Sequence, residues 1–171
     1  MEIFVGHMSS PVGVLTLAWN ESGLRALDFD GFDERFHTLM KSHYGECKLT
    51  SAAIPAQFSR ALEAYFAGDF SPVDRLPVAT NGTPFQQAVW AALREIPPAT
   101  TMSYGQLAQK LGKPGASRAV GRANGSNPIG IVVPCHRVIG ADGSLTGYGG
   151  GIPRKQWLLE HERTHLFQLV S

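Results

Sequence analysis

Hydrophobic positions change their period along the chain, and the changes mark its elements. Val14–Trp19 and Leu24–Phe29 are strand-like runs separated by Asn20-Glu21-Ser22-Gly23, a turn-forming cluster. Ile3–Gly6 predicts an earlier short strand, set off by Ser9-Ser10-Pro11-Val12-Gly13, so the chain opens as an antiparallel meander. The period then becomes helical. Phe36, Leu39, Met40 and Tyr44 predict a helix with Asp33 as N-cap and Gly45 as its stop. A weak strand is expected near Lys48–Thr50. A second helix follows over Pro55–Ala67, with Phe58, Leu62, Tyr65 and Phe66 on its core face and Gly68 at its end. Asp69–Asn81, with Pro72 and Pro77, reads as a loop-like connector.

The second half is mainly helical. Thr83-Pro84-Phe85-Gln86 has the form of a capping box with proline at the first helical position. It predicts a helix to about Ile96 that buries Phe85, Val89, Trp90 and Leu93 and stops at Pro97-Pro98. Ser103 caps a helix over Tyr104–Leu111, Gly112-Lys113-Pro114-Gly115 turns, and Ala116–Asn124 forms a further helix: a helix-turn-helix outline. In Ile131–Ile139, Val132-Val133 and Val138-Ile139 favour buried extended backbone, and Pro134 between them predicts a bend. Four glycines around Tyr148 make a loop whose backbone can approach a ligand closely. The last helix starts near Pro153 and carries Trp157, Leu158 and Leu159, then His161 and Glu162.

Composition narrows the class. At 171 residues, 43% hydrophobic and 17% charged, the chain reads as ordinary globular protein. It has no apolar run near the ~20 residues of a membrane span and no secretory signal, so a cytoplasmic protein without a membrane partner is expected. Two cysteines, Cys47 and Cys135, are too few for a disulfide framework and suggest a reducing compartment. His43 and Cys47 stand four apart, but two ligands make no metal site, and the pair is expected at the surface. The net charge of +1 conceals an asymmetry: residues 1–80 carry six Lys/Arg against ten Asp/Glu, and residues 81–171 carry nine against four. The sign change places a domain boundary near residue 80 and gives the second half the charge to meet a polyanion.

Cys135 is where chemistry concentrates. A cysteine in an apolar run is ordinarily a small core residue. With His136 and Arg137 beside it, its thiolate fraction can rise, and Cys with His is a nucleophile arrangement. The helix over Ala116–Asn124 is almost all small residues, with Arg118 and Arg122 four apart on one face, suited to close approach and phosphate contact. The same helix could instead pack tightly on a neighbour with its arginines solvated. A cysteine hydrolase would need an oxyanion hole and would leave this arginine helix unexplained. A helix-turn-helix regulator would usually dimerise, and no dimerisation heptad is present.

Pro134-Cys135-His136-Arg137-Val138, with Arg118-Ala119-Val120-Gly121 and Asn127-Pro128 before it, and Gly147-Tyr148-Gly149-Gly150 and Trp157-Leu158-Leu159-Glu160-His161-Glu162 after it, resembles the O6-alkylguanine-DNA alkyltransferase family, in its bacterial Ogt-type branch. The motif match covers about residues 83–163. The resemblance implies an α+β fold. Residues 1–80 would form a ribonuclease-H-like domain built on an antiparallel sheet with helices. Residues 81–171 would form a mostly helical, winged helix-turn-helix-like domain carrying the active site. It implies transfer of an alkyl group from O6-alkylguanine, and O4-alkylthymine, in double-stranded DNA to Cys135, once per molecule, after flipping the base through the minor groove. In that family His136 would serve as base through a water, oriented by Glu162. Tyr104 would donate to the base and touch the adjacent phosphate, and Asn127 would act as a hinge. Arg118 would fill the gap in the stack, and Ser103, Tyr104, Ala119, Arg122 and Ala123 would join it at the DNA. Val133, Val138, Tyr148, Gly149 and Gly150 would line the base pocket. No metal and no cofactor are implied, and the protein would act as a monomer, with cooperativity on DNA open. Gly130 stands where some members have proline, which suggests a more open pocket. The alternative on the same scaffold is a non-catalytic alkylated-base-binding protein, which would lack the nucleophile.

Overall fold

Three strands, β1 (Glu2–Ser10), β2 (Gly13–Asn20) and β3 (Gly23–Phe29), form the expected antiparallel meander in a computed structural model that describes the backbone of residues 1–170 and the side chains of residues 1–166. The first strand is longer than its apolar run, because pairing with β2 continues to Ser10↔Gly13 and leaves only Pro11-Val12 as the turn. Helix α1 (Asp33–Tyr44) follows, then β4 (Lys48–Ser51), which pairs with β1 in parallel to give the order β3-β2-β1-β4. Helices α2 (Ala56–Phe66) and α3 (Ser71–Asp74) complete the first half; α3 occupies part of the stretch expected as plain loop. Two compact units result. One comprises Met1–Asn81 and Pro128–Val132. The other comprises Gly82–Asn127 and the chain from Val133 onward.

In the first unit the core follows from the two periodicities. Ile3, Ala18 and Ala26 from the sheet meet Phe36, Met40 and Tyr44 from one face of α1. The N-cap of α1 is Phe32, with no side-chain cap. The expected cap, Asp33, is instead the first helical residue, where its charge faces the positive end of the helix. His43 and Cys47 are not the surface pair that their polarity suggested. His43 is buried with Nδ1 3.3 Å from the Asn81 carbonyl, and Cys47 packs partly buried against the core. The Tyr44 hydroxyl donates to the Arg25 carbonyl at 2.5 Å, and burial pushes its pKa up to about 12.

Every residue of β3 is buried because two segments cover its open edge. Leu24 N–H donates to Pro77 O and Ala79 N–H donates to Leu24 O, both at 2.9 Å; Leu27 N–H donates to Pro128 O and Gly130 N–H to Leu27 O, both at 3.0 Å. Gly130 does not open space on this side. A side chain there would meet the Phe29 ring at 3.3 Å and the Leu27 carbonyl at 3.4 Å.

The second unit holds α4 (Pro84–Arg94), β5 (Met102–Ser103), α5 (Tyr104–Lys110), α6 (Ser117–Gly125), β6 (Val138–Ile139) and α7 (Ile152–Val170). Both expected caps form as capping boxes: Thr83 with Gln86 on α4, and Ser103 with Gln106 on α5. Trp90 donates its indole N–H to the Ala123 carbonyl at 2.9 Å, which fastens α4 to α6; Phe85 is only half-buried, with Lys113 Nζ over its ring. β5 and β6 pair in parallel through Met102↔Val138 and Ser103↔Ile139. Among the described residues no helix is long and apolar enough to cross a membrane, and no group of three or more His, Cys, Asp or Glu could hold a metal ion.

The strap over β3 makes Gly23 sensitive. Its φ is +136°, and a Cβ there would lie 2.8 Å from the Pro77 carbonyl oxygen. Gly23→Ala is expected to destabilise the protein by about 2 kcal/mol or more through backbone strain and overpacking, measured by chemical denaturation of both forms.

Candidate active site

The nucleophile candidate sits on a tight turn. Ile131 has a positive φ of 67°, Val132 N–H donates back to Gly130 O at 2.7 Å, and Cys135 N–H donates to Val133 O at 2.8 Å. Val132-Val133 is therefore not the extended segment its β-branched composition suggests, and Cys135 begins a one-turn 3-10 helix, Cys135–Arg137, instead of lying on a strand. The bend at Pro134 is present, with φ −81° and ψ 65°. Only Val138-Ile139 is strand.

The end of α6 and the residues just after it hold this turn. Asn127 Nδ2 donates to Val133 O at 2.8 Å, and Asn124 Nδ2 donates to Cys135 O at 3.4 Å. Asn127 was expected to link helix and nucleophile segment; Asn124 was not singled out. Cys135 is 7% exposed and forms no disulfide.

Behind the thiol lies a buried ionic network. Glu162 and Lys155 are both fully buried on α7, at seven-residue spacing with Leu158 between them, so that charged side chains occupy the helix face that normally carries apolar ones. His136 Nε2 lies 2.7 Å from Glu162 Oε2. Arg137 grips the same carboxylate bidentately, Nε to Oε1 and Nη2 to Oε2, both at 2.9 Å, and donates Nη1 to the Ile96 carbonyl at 2.6 Å. Burial pushes the Glu162 carboxyl upward, but His136 and Arg137 outweigh it and hold the group well below the usual carboxylate range. Burial lowers the His136 pKa, opposed by Glu162 and assisted by Arg137 and Lys155, so the imidazole is neutral near pH 7. An ionised carboxylate can only accept, so His136 carries its proton on Nε2. Its Nδ1 is buried with no hydrogen-bond partner among the described residues and presents a lone pair.

Lys155 Nζ donates to Val138 O at 2.6 Å and Thr146 O at 2.8 Å, tying β6 to the glycine-rich loop. Burial lowers its pKa, and Cys135 raises it. Tyr104 OH lies 2.8 Å from Thr146 Oγ1 on that loop, and the Tyr148 ring stands edge-on to His136 with centroids 6.5 Å apart. Val133 and Val138 are buried, as is Gly150; Gly149 is half-buried. On α6, Arg118 and Arg122 are exposed and Ala119 is half-buried. Ala123 is buried, its carbonyl taken by Trp90. Ser103 is half-buried at the start of α5. Cys135, His136, Glu162, Asn127 and Tyr148 thus gather at one place, and Arg118 and Arg122 face solvent elsewhere on the same unit. Sequence reasoning read Arg137 only as a cation beside the thiol, and left Asn124 and Lys155 without roles. The available signal for Lys155 was a charge on the apolar face of the last helix.

The chain matches two family models: the 6-O-methylguanine DNA methyltransferase ribonuclease-like domain over residues 3–80 and the DNA binding domain over residues 84–164. It belongs to the 6-O-methylguanine DNA methyltransferase family. Among relatives in this family, the methylated-DNA–protein-cysteine methyltransferase of Shigella flexneri is 52% identical over 158 residues, 91% of this chain and 92% of that one. The protein so named from Mycobacterium tuberculosis strain H37Rv is 48% identical over 160 residues, 92% of this chain and 90% of the other. The crystal structure of Mycobacterium tuberculosis OGT in complex with DNA superposes with a TM-score of 0.79 at 45% identity, covering 95% of this chain and 94% of that one. The O6-methylguanine-DNA methyltransferase from Pyrococcus kodakaraensis strain KOD1 gives 0.72 at 26% identity, covering 94% and 98%.

Together with His136, Arg137 keeps a buried carboxylate ionised. Arg137→Met is expected to cost about 3–5 kcal/mol at pH 7, the usual result of removing one partner of a buried pair. The Glu162 pKa would then rise, since His136 alone would oppose burial. Wild-type stabilisation from a depressed carboxyl is full above the unfolded value and lost as pH falls through the folded one. The gap between variant and wild type should therefore narrow from pH 7 to pH 5, as read by denaturation at both values.

Proposed function

We propose that this chain is a DNA repair methyltransferase that moves the alkyl group of O6-alkylguanine in double-stranded DNA onto Cys135 in a single turnover. The observation that carries the reading is the Cys135 turn joined through His136 to the buried Glu162–Arg137 pair. The thiol proton passes through a water to His136 Nδ1, and Glu162 holds the ring by Nε2 and favours the imidazolium that forms. The thiolate sulfur attacks the alkyl carbon in line. The S–C bond forms, the C–O6 bond breaks, and the electron pair remains on the departing guanine, which Tyr104 neutralises by donating a proton or a hydrogen bond. The thioether is stable, so no step regenerates the thiol. O4-alkylthymine offers the same alkyl–oxygen bond on a ring carbon and is the second expected substrate.

The basic second half supplies the DNA contacts. Residues 81–171 act as the DNA-binding alkyltransferase domain and residues 1–80 as its ribonuclease-H-like companion. Arg118 enters the stack where the lesion leaves it, Arg122 and Ser103 with Tyr104 engage phosphates, and Ala119 keeps the helix thin enough to approach the minor groove, while the buried Ala123 seats the helix against α4. Val133, Val138, Tyr148, Gly149 and Gly150 line the base pocket. Asn127 fixes the nucleophile turn to α6, and the protein works as a monomer.

Mass spectrometry of the intact protein and of its Cys135 peptide, after incubation with duplex DNA bearing O6-methylguanine, should show one methyl per molecule and no further reaction. Cys135→Ala should abolish transfer while lesion binding persists; tight binding by the wild type without any adduct would support a lesion-binding protein instead. Arg118→Ala should slow repair of duplex DNA about tenfold, the equivalent of ~1.4 kcal/mol, and leave reaction with the free base nearly unchanged. Equal losses on both substrates would remove Arg118 from the stack-filling role.

A further inference from the structure

The turn after α4 meets the active-site ion pair at both of its ends. Its Ile96 carbonyl accepts from Arg137 Nη1 at 2.6 Å, and three residues later the Ala99 N–H donates to Glu162 Oε1 at 3.3 Å. Between them Pro97–Thr100 forms a β-turn, closed by Thr100 N–H on the Pro97 carbonyl at 3.2 Å, with Pro98 and Ala99 as its central residues. Ala99 has φ +63°, and among the described residues only it and Ile131 combine a side chain with a positive φ. A positive φ at the third turn position is ordinarily filled by Gly or Asn. An L-residue held there is strained and persists where surrounding contacts fix it.

We infer that Ala99 is a positioning residue for the transfer reaction: its strained backbone aims an N–H at Glu162, and this fourth donor limits how strongly the carboxylate draws the proton of His136. The inference rests on the alkyl-transfer reading above. Four donors converge on Glu162: Arg137 Nε and Nη2, His136 Nε2 and Ala99 N–H. Each shares the carboxylate charge. With all four in place the carboxylate orients the imidazole without becoming the better base, and His136 stays neutral and ready to accept the thiol proton at Nδ1. Loss of the Ala99 donor would concentrate charge on the oxygens facing His136 and favour the imidazolium before substrate arrives. The other groups around the ring are Arg137 beside it in the chain, Lys155 from α7, the edge of Tyr148 from the glycine-rich loop and the Cys135 thiol.

The test replaces only the N–H. An amide-to-ester exchange in the full-length chain, Ala99→L-lactic acid, keeps the methyl group and the turn and removes the donor. Methyl transfer from O6-methylguanine duplex DNA is then followed from pH 5.5 to pH 8. The acid limb of the rate profile should move to higher pH, giving a several-fold loss at pH 5.5 with little loss at pH 8. Ala99→Gly keeps the N–H in a residue suited to that φ and should reproduce the wild-type profile. A loss uniform with pH that follows a lower thermal midpoint would overturn the inference, as would an unchanged ester profile or a glycine profile displaced as far as the ester's. Failure of the unmodified chain to transfer methyl at any pH would instead refute the alkyl-transfer reading, and this inference with it.

Discussion

A carboxylate in the interior is the constraint around which the second unit is built. Glu162 is fully buried, and an ionised group there is tolerated only with partners that repay its lost hydration. Arg137 supplies the opposite charge in a geometry a lysine could not match, two parallel bonds from one planar group. That requirement fixes much else. Arg137 must lie two residues from Cys135 on a tight turn, so that the residue between them can reach the same carboxylate. The turn must be fastened, and Asn127 and Asn124 fasten it from the end of α6. The guanidinium has a third arm to satisfy, and the carbonyl of Ile96 meets it. The geometry of the candidate site and the stability of the unit are in this way properties of one network.

Local signals were legible where the physics is local. Thr83 with Gln86 and Ser103 with Gln106 formed the caps their spacing implied, because a capping box needs only four residues and their own backbone. The meander was legible from its turns. The extended reading of Val132-Val133 failed because β-branched residues prefer strands only when pairing is available, and here the Asn127 amide just after α6 holds the Val133 carbonyl in a turn. Asp33 lost the cap position by one residue, a margin that propensity does not resolve. His43 was read as a surface residue from polarity alone, whereas the linker carbonyl that buries and bonds it comes from thirty-eight residues away.

The site was legible in part through its motif and in part not at all. Cys135 and His136 announced themselves as neighbours. Glu162 gained its role only through resemblance, since nothing in its spacing ties it to Cys135, whereas Asn127 before Pro128 was legible as a turn former able to hold the helix to the Cys135 segment. Arg137 was read only as a cation beside the thiol and Lys155 drew no reading, although their burial places them among the most constrained residues of the unit. Turn chemistry hid Ala99: alanine gives no hint of a left-handed backbone, which a glycine would have advertised.

The near-complete enclosure of Cys135 has a bearing on the protein's chemical lifetime. Oxidation of a thiol to sulfenic acid and beyond follows its exposure and its thiolate character. At 7% exposure Cys135 offers little surface to a diffusing peroxide. On the single-turnover reading every adventitious oxidation would remove one repair event from the cell's stock. On that reading enclosure would act as storage: the molecules would remain usable until a lesion, and not the ambient oxidant level, consumed them.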